Sequence, residues 1–148
     1  MRTLILLLLM VSVSAATVDI GFYAVVKERG EARLVLKDTR GQEYFLGEDA
    51  GITVNDVESA SVVEQVDELA IAITFTEAAG LRNEAFTTKY HQQQIAIVVG
   101  DVVVSDPMVM TPSKQHTVIS GSFTEAEARD MVRRITMKVK EVRDRIVP

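Results

Sequence analysis

Hydrophobic periodicity switches repeatedly between residues 69 and 139, and this switching constrains the fold more than any other feature of the chain. Residues 69–75 are rich in Ile, Ala and Thr, a composition typical of a half-buried strand. Residues 76–90 then carry apolar side chains at three- and four-residue spacing, which predicts a helix with one buried face. The order strand, helix, hairpin, strand, helix follows, and it is the pattern of a small α+β domain.

The first helix is predicted from its start signals. Thr76 stands where an N-cap hydroxyl accepts a hydrogen bond from a first-turn amide, and Glu77 follows where the helix dipole favours negative charge. Gly80 costs up to about 1 kcal/mol relative to alanine inside a helix, so we expect a close packing contact there. The predicted apolar stripe of this helix, which spans residues 78–90, consists of Ala78, Leu81, Ala85, Phe86 and Tyr90.

A hairpin is predicted after this helix. Two β-branched runs flank Gly100-Asp101, and glycine tolerates the positive φ that a two-residue hairpin link requires. Pro107 has no amide hydrogen, so it marks an edge position, a bulge or the end of the strand. A further short strand is expected at residues 117–120.

The second helix is predicted over residues 128–146. Thr124 and Glu127 have the spacing of a capping box at its start. Its apolar stripe consists of Ala128, Met131, Val132, Ile135, Val139, Val142 and Ile146. The stripe beyond Ile135 covers the N-terminal strands or docks on another chain. Two one-faced helices beside short strands predict a two-layer sandwich, with a mainly antiparallel sheet and both helices on one face.

The N-terminus has the pattern of an export signal. Arg2 supplies a positive charge, residues 4–11 are uniformly apolar, and small residues end at Ala15 or Ala16. The apolar run is much shorter than the roughly 20 residues that a membrane-spanning helix needs. We therefore expect residues 1–15 to be a signal peptide cleaved near Ala15 or Ala16, which gives a periplasmic or secreted product without a membrane span.

The mature chain is expected to be one domain, residues 16–148, because no linker or repeat interrupts it. Residues 16–50 hold three short β runs separated by polar turns, which predicts an N-terminal β-meander serving as the base of the domain. Residues 51–148 form the remainder, and a hairpin is expected around residues 66–68.

Composition excludes several classes of protein. The chain has no cysteine, which removes disulfides, thiol chemistry and lipid attachment through a thiol. Its net charge is −5, from 16 basic and 21 acidic residues. Removal of Arg2 with the leader leaves 15 basic residues against those 21, a net charge of −6. This charge argues against nucleic acid as a partner, and weakly against anionic lipid surfaces.

No residue pattern predicts catalysis, a cofactor or a metal. His91 and His116 are the only histidines, and their spacing matches no metal-binding motif. Paired carboxylates fall at helix caps and predicted turns, where local hydrogen bonding explains them. Nucleophile-elbow, phosphate-loop and dinucleotide-binding motifs are absent from the sequence. Met108, Met110 and Met131 are candidates for partner binding, since methionine adapts to varied apolar surfaces, although core filling is the preferred interpretation of all three.

Four segments together resemble the head part of the first periplasmic domain of SecD-type protein-export subunits. In chain order they are ITVNDVESASVV, FTEAAGLRNEAFTTKY, IAIVVGDVVVSDP and VISGSFTEAEA, which cover roughly residues 52–135. DIGF and EYFLGED resemble the base of that domain more weakly. The hairpin differs from the family pattern, because Gly100 precedes Asp101 where the family usually has Asp before Gly.

The resemblance implies an exported, non-enzymatic binding module. Such a module would contact polypeptide clients or an envelope protein through an exposed strand edge or an apolar groove. Two alternatives stay open on the residues alone. One is a secreted enzyme, which predicts a pocket where His91 or His116 meets acidic residues. The other is a structural or oligomerisation unit that uses the C-terminal helix.

Overall fold

The computed structural model describes residues 18–121 and 123–146, so the predicted signal peptide lies outside the described residues. Within these residues, eight strands form two sheets and two α-helices accompany them. In chain order the elements are β1 Ile20–Val25, β2 Leu34–Asp38, β3 Glu43–Asp49, β4 Val57–Gln65, β5 Glu68–Phe75, α1 Glu77–Lys89, β6 Ile95–Val99, β7 Val102–Ser105, β8 His116–Ser120 and α2 Glu125–Ile146. This confirms the predicted α+β class.

Five of the strands close into a small barrel in the order β1-β3-β2-β7-β6. The barrel closes because β6 pairs with β1, antiparallel from Ile20 opposite Val99 to Ala24 opposite Ile95. All its pairs are antiparallel except β2 with β7, which run parallel. A separate cluster fills part of it, with Tyr44, Leu46, Ala96, Val98 and Val103 buried together.

The prediction of an N-terminal meander is wrong in its strand order. A meander would place β2 between β1 and β3, whereas β3 lies between the other two. The β6–β7 hairpin also joins these N-terminal strands instead of widening the second sheet. The reason is visible in β6, because all five of its residues are buried. A strand with two apolar faces has to be covered on both sides, and β6 places alternate residues in two different clusters.

The second sheet is open and has three strands in the order β4-β5-β8, all antiparallel. The β4–β5 hairpin turns through Val66 and Asp67, and Asp67 has a φ of 59°. Helix α2 packs on β4 and β5. The predicted hairpin at residues 66–68 and the predicted short strand before Gly121 are both confirmed.

The main core joins the barrel to the open sheet. Phe22 of β1 meets Phe75 of β5 edge to face, with ring centroids 5.6 Å apart at 73°. Edge-to-face contact is a favoured geometry for aromatic pairs. The same cluster contains side chains from β5, β6, β8, α1 and α2, among them Ile71, Ile73, Ile97, Ile119, Ala79, Phe86, Ile135 and Val139.

Helix α1 begins as predicted but buries a different face. Thr76 accepts a hydrogen bond from the Ala79 amide at 3.3 Å, as an N-cap should. The predicted stripe is wrong at Ala78, Leu81 and Ala85, which are exposed. The buried residues are Ala79, Gly80, Asn83, Phe86 and Thr87.

A polar contact explains this rotation of α1. The Asn83 side chain is fully buried, and its Nδ2 donates to the carbonyl oxygens of Ser113 and Lys114 at 3.2 and 3.1 Å. Thr87 Oγ1 accepts from the Ser113 amide at 3.0 Å. A Cβ on Gly80 would lie 2.6 Å from Gln115 Cγ, so the expected close contact is confirmed. The helix thus bonds to backbone groups of the loop before β8, and these hydrogen bonds turn the face with Asn83 and Thr87 inward.

Helix α2 and the β6–β7 turn match their predictions. The Glu127 amide donates to Thr124 Oγ1 at 3.2 Å, and the Thr124 amide donates to the Glu127 carboxylate at 3.0 Å, which completes the capping box. Gly100 and Asp101 have φ angles of 58° and 62°, as a two-residue hairpin of the mirror-image type requires. Strand β7 ends two residues before Pro107, which agrees with the strand end as one of the three predicted positions.

Candidate functional site: the groove between β4 and α2

Strand β4 has a ladder partner on one side only. It is the first strand of the open sheet and pairs with β5 alone among the described residues. The hairpin register places Gln65 opposite Glu68 around a two-residue turn, so hydrogen-bonded and non-bonded pairs alternate from there. Ala60, Val62 and Glu64 therefore direct their backbone N–H and C=O groups away from β5. These three residues form the open edge of β4.

One end of this edge is already covered by α2. Arg143, in the last turns of the helix, donates from Nη2 to the Glu58 carbonyl oxygen at 3.2 Å. The β4–β5 register also shifts between Val57 and Ser59, which is a bulge. A bulge and a charged side chain are two ways in which proteins protect sheet edges. The open edge therefore begins only at Ala60.

A groove of about 680 Å³ runs between the open edge and α2. Ala60 and Val62 face the helix, because they lie opposite Ile73 and Ile71, two core residues on the same face of the sheet. Its lining consists of Ala60, Ser61, Val62, Glu64 and Leu69 from the sheet and Glu125, Arg129, Val132, Arg133, Thr136 and Met137 from the helix. We call this feature the β4–α2 groove.

The floor of the β4–α2 groove is apolar and only partly covered. Ala60, Val62 and Val132 are half-buried, and Met137 is 60% exposed. Apolar side chains beside unpaired backbone groups suit a ligand that brings both a main chain and side chains. An extended polypeptide has both.

The helix wall of the groove carries two arginines. Arg129 pairs with Glu125 at 2.8 Å and Arg133 pairs with Asp130 at 2.6 Å. The hydrogen bond from Arg133 holds the pKa of Asp130 below its usual value. The two arginine side chains are 70% and 68% exposed. Ion pairs this exposed contribute only about 0–1 kcal/mol, so both guanidinium groups can turn toward a ligand at little cost.

The opposite edge of the sheet, on β8, is less open. Ser105 of β7 donates from Oγ to the Ser120 carbonyl oxygen at 3.0 Å, so the barrel covers the end of this strand. Strand β8 has five residues against nine in β4. Val118, at 46% exposure, is the central residue of this shorter edge.

The methionines predicted to bind a partner do not line the β4–α2 groove together. Met131 is half-buried and lines another cleft, of about 660 Å³, between β7 and α2. Met108 and Met110 follow β7 and are 57% and 69% exposed. Their role in partner binding stays a prediction. Met137, which does line the groove, is not predicted from the sequence, because it lies outside the predicted apolar stripe of α2.

The two histidines lie in separate places. His91 Nε2 is 3.0 Å from the Met110 carbonyl oxygen, and His116 Nδ1 is 3.2 Å from Thr74 Oγ1. Neither lines the cleft that holds Met131, although acidic residues do. Residues 18–121 and 123–146 contain no group of three or more His, Asp or Glu side chains placed to hold a metal ion.

That second cleft contains one perturbed tyrosine. Tyr44 donates its hydroxyl hydrogen to the Asp106 carboxylate at 3.0 Å. Burial and this hydrogen bond raise the pKa of Tyr44 to about 12. Gln94 donates to the same carboxylate at 2.8 Å. The arrangement keeps the phenol neutral and fixes β3 to the segment after β7, which is a structural role.

A family model decides what kind of domain this is. Residues 31–136 match the model described as SecDF, P1 head subdomain. The chain belongs to this family. The matched region thus extends from three residues before β2 to the middle of α2, and it contains the whole β4–α2 groove except the last residue of its lining.

Known relatives agree with this assignment. The protein translocase subunit SecD of Aquifex aeolicus is 33% identical over 101 residues, which are 67% of this chain and 20% of that protein. A crystal structure of SecDF in a super-membrane-facing form has a TM-score of 0.62 at 20% identity, over 78% of this chain and 18% of the other. A structure of SecDF, a membrane component that enhances protein export, has a TM-score of 0.61 at 20% identity, over 78% of this chain and 60% of the other.

The chain thus spans about a fifth of the length of its SecD relative. Among the described residues, no helix is both long enough and apolar enough to cross a membrane.

Proposed function

We propose that this P1 head is a non-enzymatic binding module of protein export that holds extended polypeptide by strand addition to the open edge of β4. The observation that carries the proposal is the row of outward backbone groups at Ala60, Val62 and Glu64 beside an apolar floor. The SecD relative and the SecDF structures supply the context of export, and with it a periplasmic location.

Strand addition suits a client that has not yet folded. Each main-chain hydrogen bond contributes about 0.5–1.5 kcal/mol net and does not depend on the side chain. Three outward residues offer few such bonds, and the floor adds a limited apolar area. Binding is therefore expected to be broad in sequence and short-lived, as a component that hands a moving chain onward requires.

Replacement of Val62 by proline tests the proposal. Val62→Pro removes the outward N–H at the centre of the edge without removing a bond to β5. The matched control is Val118→Pro, which removes an outward N–H from the edge of β8. The ligand is a permanently unfolded polypeptide whose cysteines are blocked with uncharged carbamidomethyl groups, and fluorescence anisotropy measures its binding.

We expect Val62→Pro to weaken binding at least tenfold while Val118→Pro stays close to wild type. Circular dichroism verifies that both variants are folded. Equal binding by the wild type and Val62→Pro would overturn the proposal. So would an equal loss in both variants, because the edge of β4 would then have no special role.

A further inference from the structure

The wall of the β4–α2 groove has the repeat of a β-strand. Glu125, Arg129, Arg133 and Met137 follow one another at intervals of four residues, and all four line the groove. Four residues of helix advance about 6 Å, and two residues of strand advance about 6.6 Å. A strand added to β4 would therefore present one groove-facing side chain to each of these helix residues in turn.

The direction of α2 along the edge is fixed by contacts at both ends. Arg143 bonds to Glu58 at the start of β4. Phe123 and Thr124, which lead into α2, line a depression together with Glu64 and Leu69 at the other end of the strand. The helix thus runs antiparallel to β4, with Met137 toward Ala60 and Glu125 toward Glu64.

The charges along this wall are not uniform. Glu64 and Glu125 make the hairpin end of the groove acidic, whereas Arg129 and Arg133 occupy its middle. Arg133 is not fully neutralised, because its partner Asp130 also pairs with Arg134 at 2.8 Å. The positive charges of the groove therefore lie in its middle, on Arg129, which pairs with Glu125, and on Arg133, which shares Asp130 with Arg134.

We infer that the β4–α2 groove selects extended segments with one apolar side chain, placed at Met137, and two carboxylates on the same face, placed at Arg133 and Arg129. The inference rests on the proposed strand addition and names its preferred client class. Main-chain pairing holds any extended segment, and the two arginines raise the affinity for segments that carry the carboxylates. The preference decreases with added salt, since both guanidinium groups are exposed.

Three labelled nonapeptides, each made in both sequence orders, test the inference. They share a Thr- and Val-rich background and one apolar anchor, and they carry Glu, Gln or Lys at two further positions on the same face. The two orders cover a strand added parallel or antiparallel to β4. Wild-type protein is expected to bind the Glu peptide roughly threefold to tenfold more tightly than the Gln peptide at low salt, and the Lys peptide most weakly.

The double variant Arg129→Gln/Arg133→Gln is expected to bind the Glu and Gln peptides equally. The matched control is Lys140→Gln/Arg145→Gln, because it removes the same two positive charges from the same helix outside the groove lining, leaves the Arg133–Asp130 pair intact and should keep the preference. Salt titration of the wild type gives a second readout that needs no variant, and the preference for Glu should disappear near 1 M NaCl.

The outcomes distinguish the charge preference from strand addition itself. Equal affinity of wild type for the Glu and Gln peptides, with both lost in Val62→Pro, overturns the charge preference and leaves strand addition standing. Tighter binding of the Lys peptide, or a preference unchanged in the double variant, also overturns it. If Val62→Pro binds all three peptides as wild type does, strand addition fails, and the client class fails with it.

Discussion

The barrel and the open sheet treat the ends of their strand ladders in opposite ways. Each barrel strand has two neighbours, because β6 returns to β1 and β7 pairs with β2. The open sheet stops at β4 and β8. Closure removes unpaired backbone edges, whereas an open sheet keeps them. In this molecule the capacity to accept another strand is therefore concentrated in one of two regions that share a core.

The shared core gives the largest test of this comparison. Phe75 is fully buried, and its ring meets Phe22 of the barrel. We expect Phe75→Ala to lower the free energy of unfolding by about 3–5 kcal/mol, measured by urea denaturation. Because the core is common, amides in β6 should lose protection from hydrogen exchange together with those in β5. Loss of protection in β5 alone would show that barrel and sheet are independent.

The open sheet depends on a polar anchor that the barrel does not use. Asn83 Nδ2 bonds to the loop before β8, and its Oδ1 has no partner among the described residues. We expect Asn83→Ala to cost about 1–3 kcal/mol, since it leaves the part-buried carbonyl oxygens of Ser113 and Lys114 without this donor. Leu81→Ala is the control, because Leu81 is 55% exposed, and it should change stability by less than about 0.5 kcal/mol. A larger effect at Leu81 would restore the predicted apolar stripe.

The barrel depends on the turn that connects β6 to β7. Gly100 has a φ of 58°, and a Cβ there would meet no atom within 4 Å, so any cost arises from the backbone alone. We expect Gly100→Ala to lower the unfolding free energy by about 1–2 kcal/mol. Gly30→Ala meets no atom either and has no positive φ, so thermal denaturation should show little change. Equal effects of the two substitutions would contradict a strained turn.

The smallest expected effect concerns a pair of hydrogen bonds between the barrel and the end of α1. Glu48 of β3 accepts hydrogen bonds from Lys89 and from the Tyr90 hydroxyl at the end of α1. These bonds, that of Lys89 first, lower the pKa of Glu48 from 4.5. A lowered carboxyl pKa stabilises the fold above pH 4.5, and this contribution is lost as the pH falls through the folded pKa.

Urea denaturation between pH 3 and pH 7 measures how much the Glu48 hydrogen bonds add to the free energy of unfolding. Glu48→Gln should have a shallower loss of stability on acidification than the wild type. Identical pH profiles would show that the Glu48 hydrogen bonds add nothing to the stability of the fold, as is common for exposed ion pairs.

The sequence predicts the type of binding surface but not its position in the fold. The family resemblance favours an exposed strand edge or an apolar groove, but nothing in the sequence says which strand is left unpaired. Met108, Met110 and Met131, the methionines predicted to bind a partner, do not line the groove, whereas Met137, which the sequence analysis did not single out, does. Pairing partners distant in sequence decide such positions.

Local signals determined the element types, the N-caps at Thr76 and Thr124 and the turn at Gly100, because each depends on backbone contacts within a few residues. The tertiary structure alone decided that β6 closes a barrel, that α1 turns Asn83 inward and that β4 keeps a free edge. Those outcomes follow from competition among distant apolar faces and backbone polar groups for partners, and such competition is settled only when the whole chain packs.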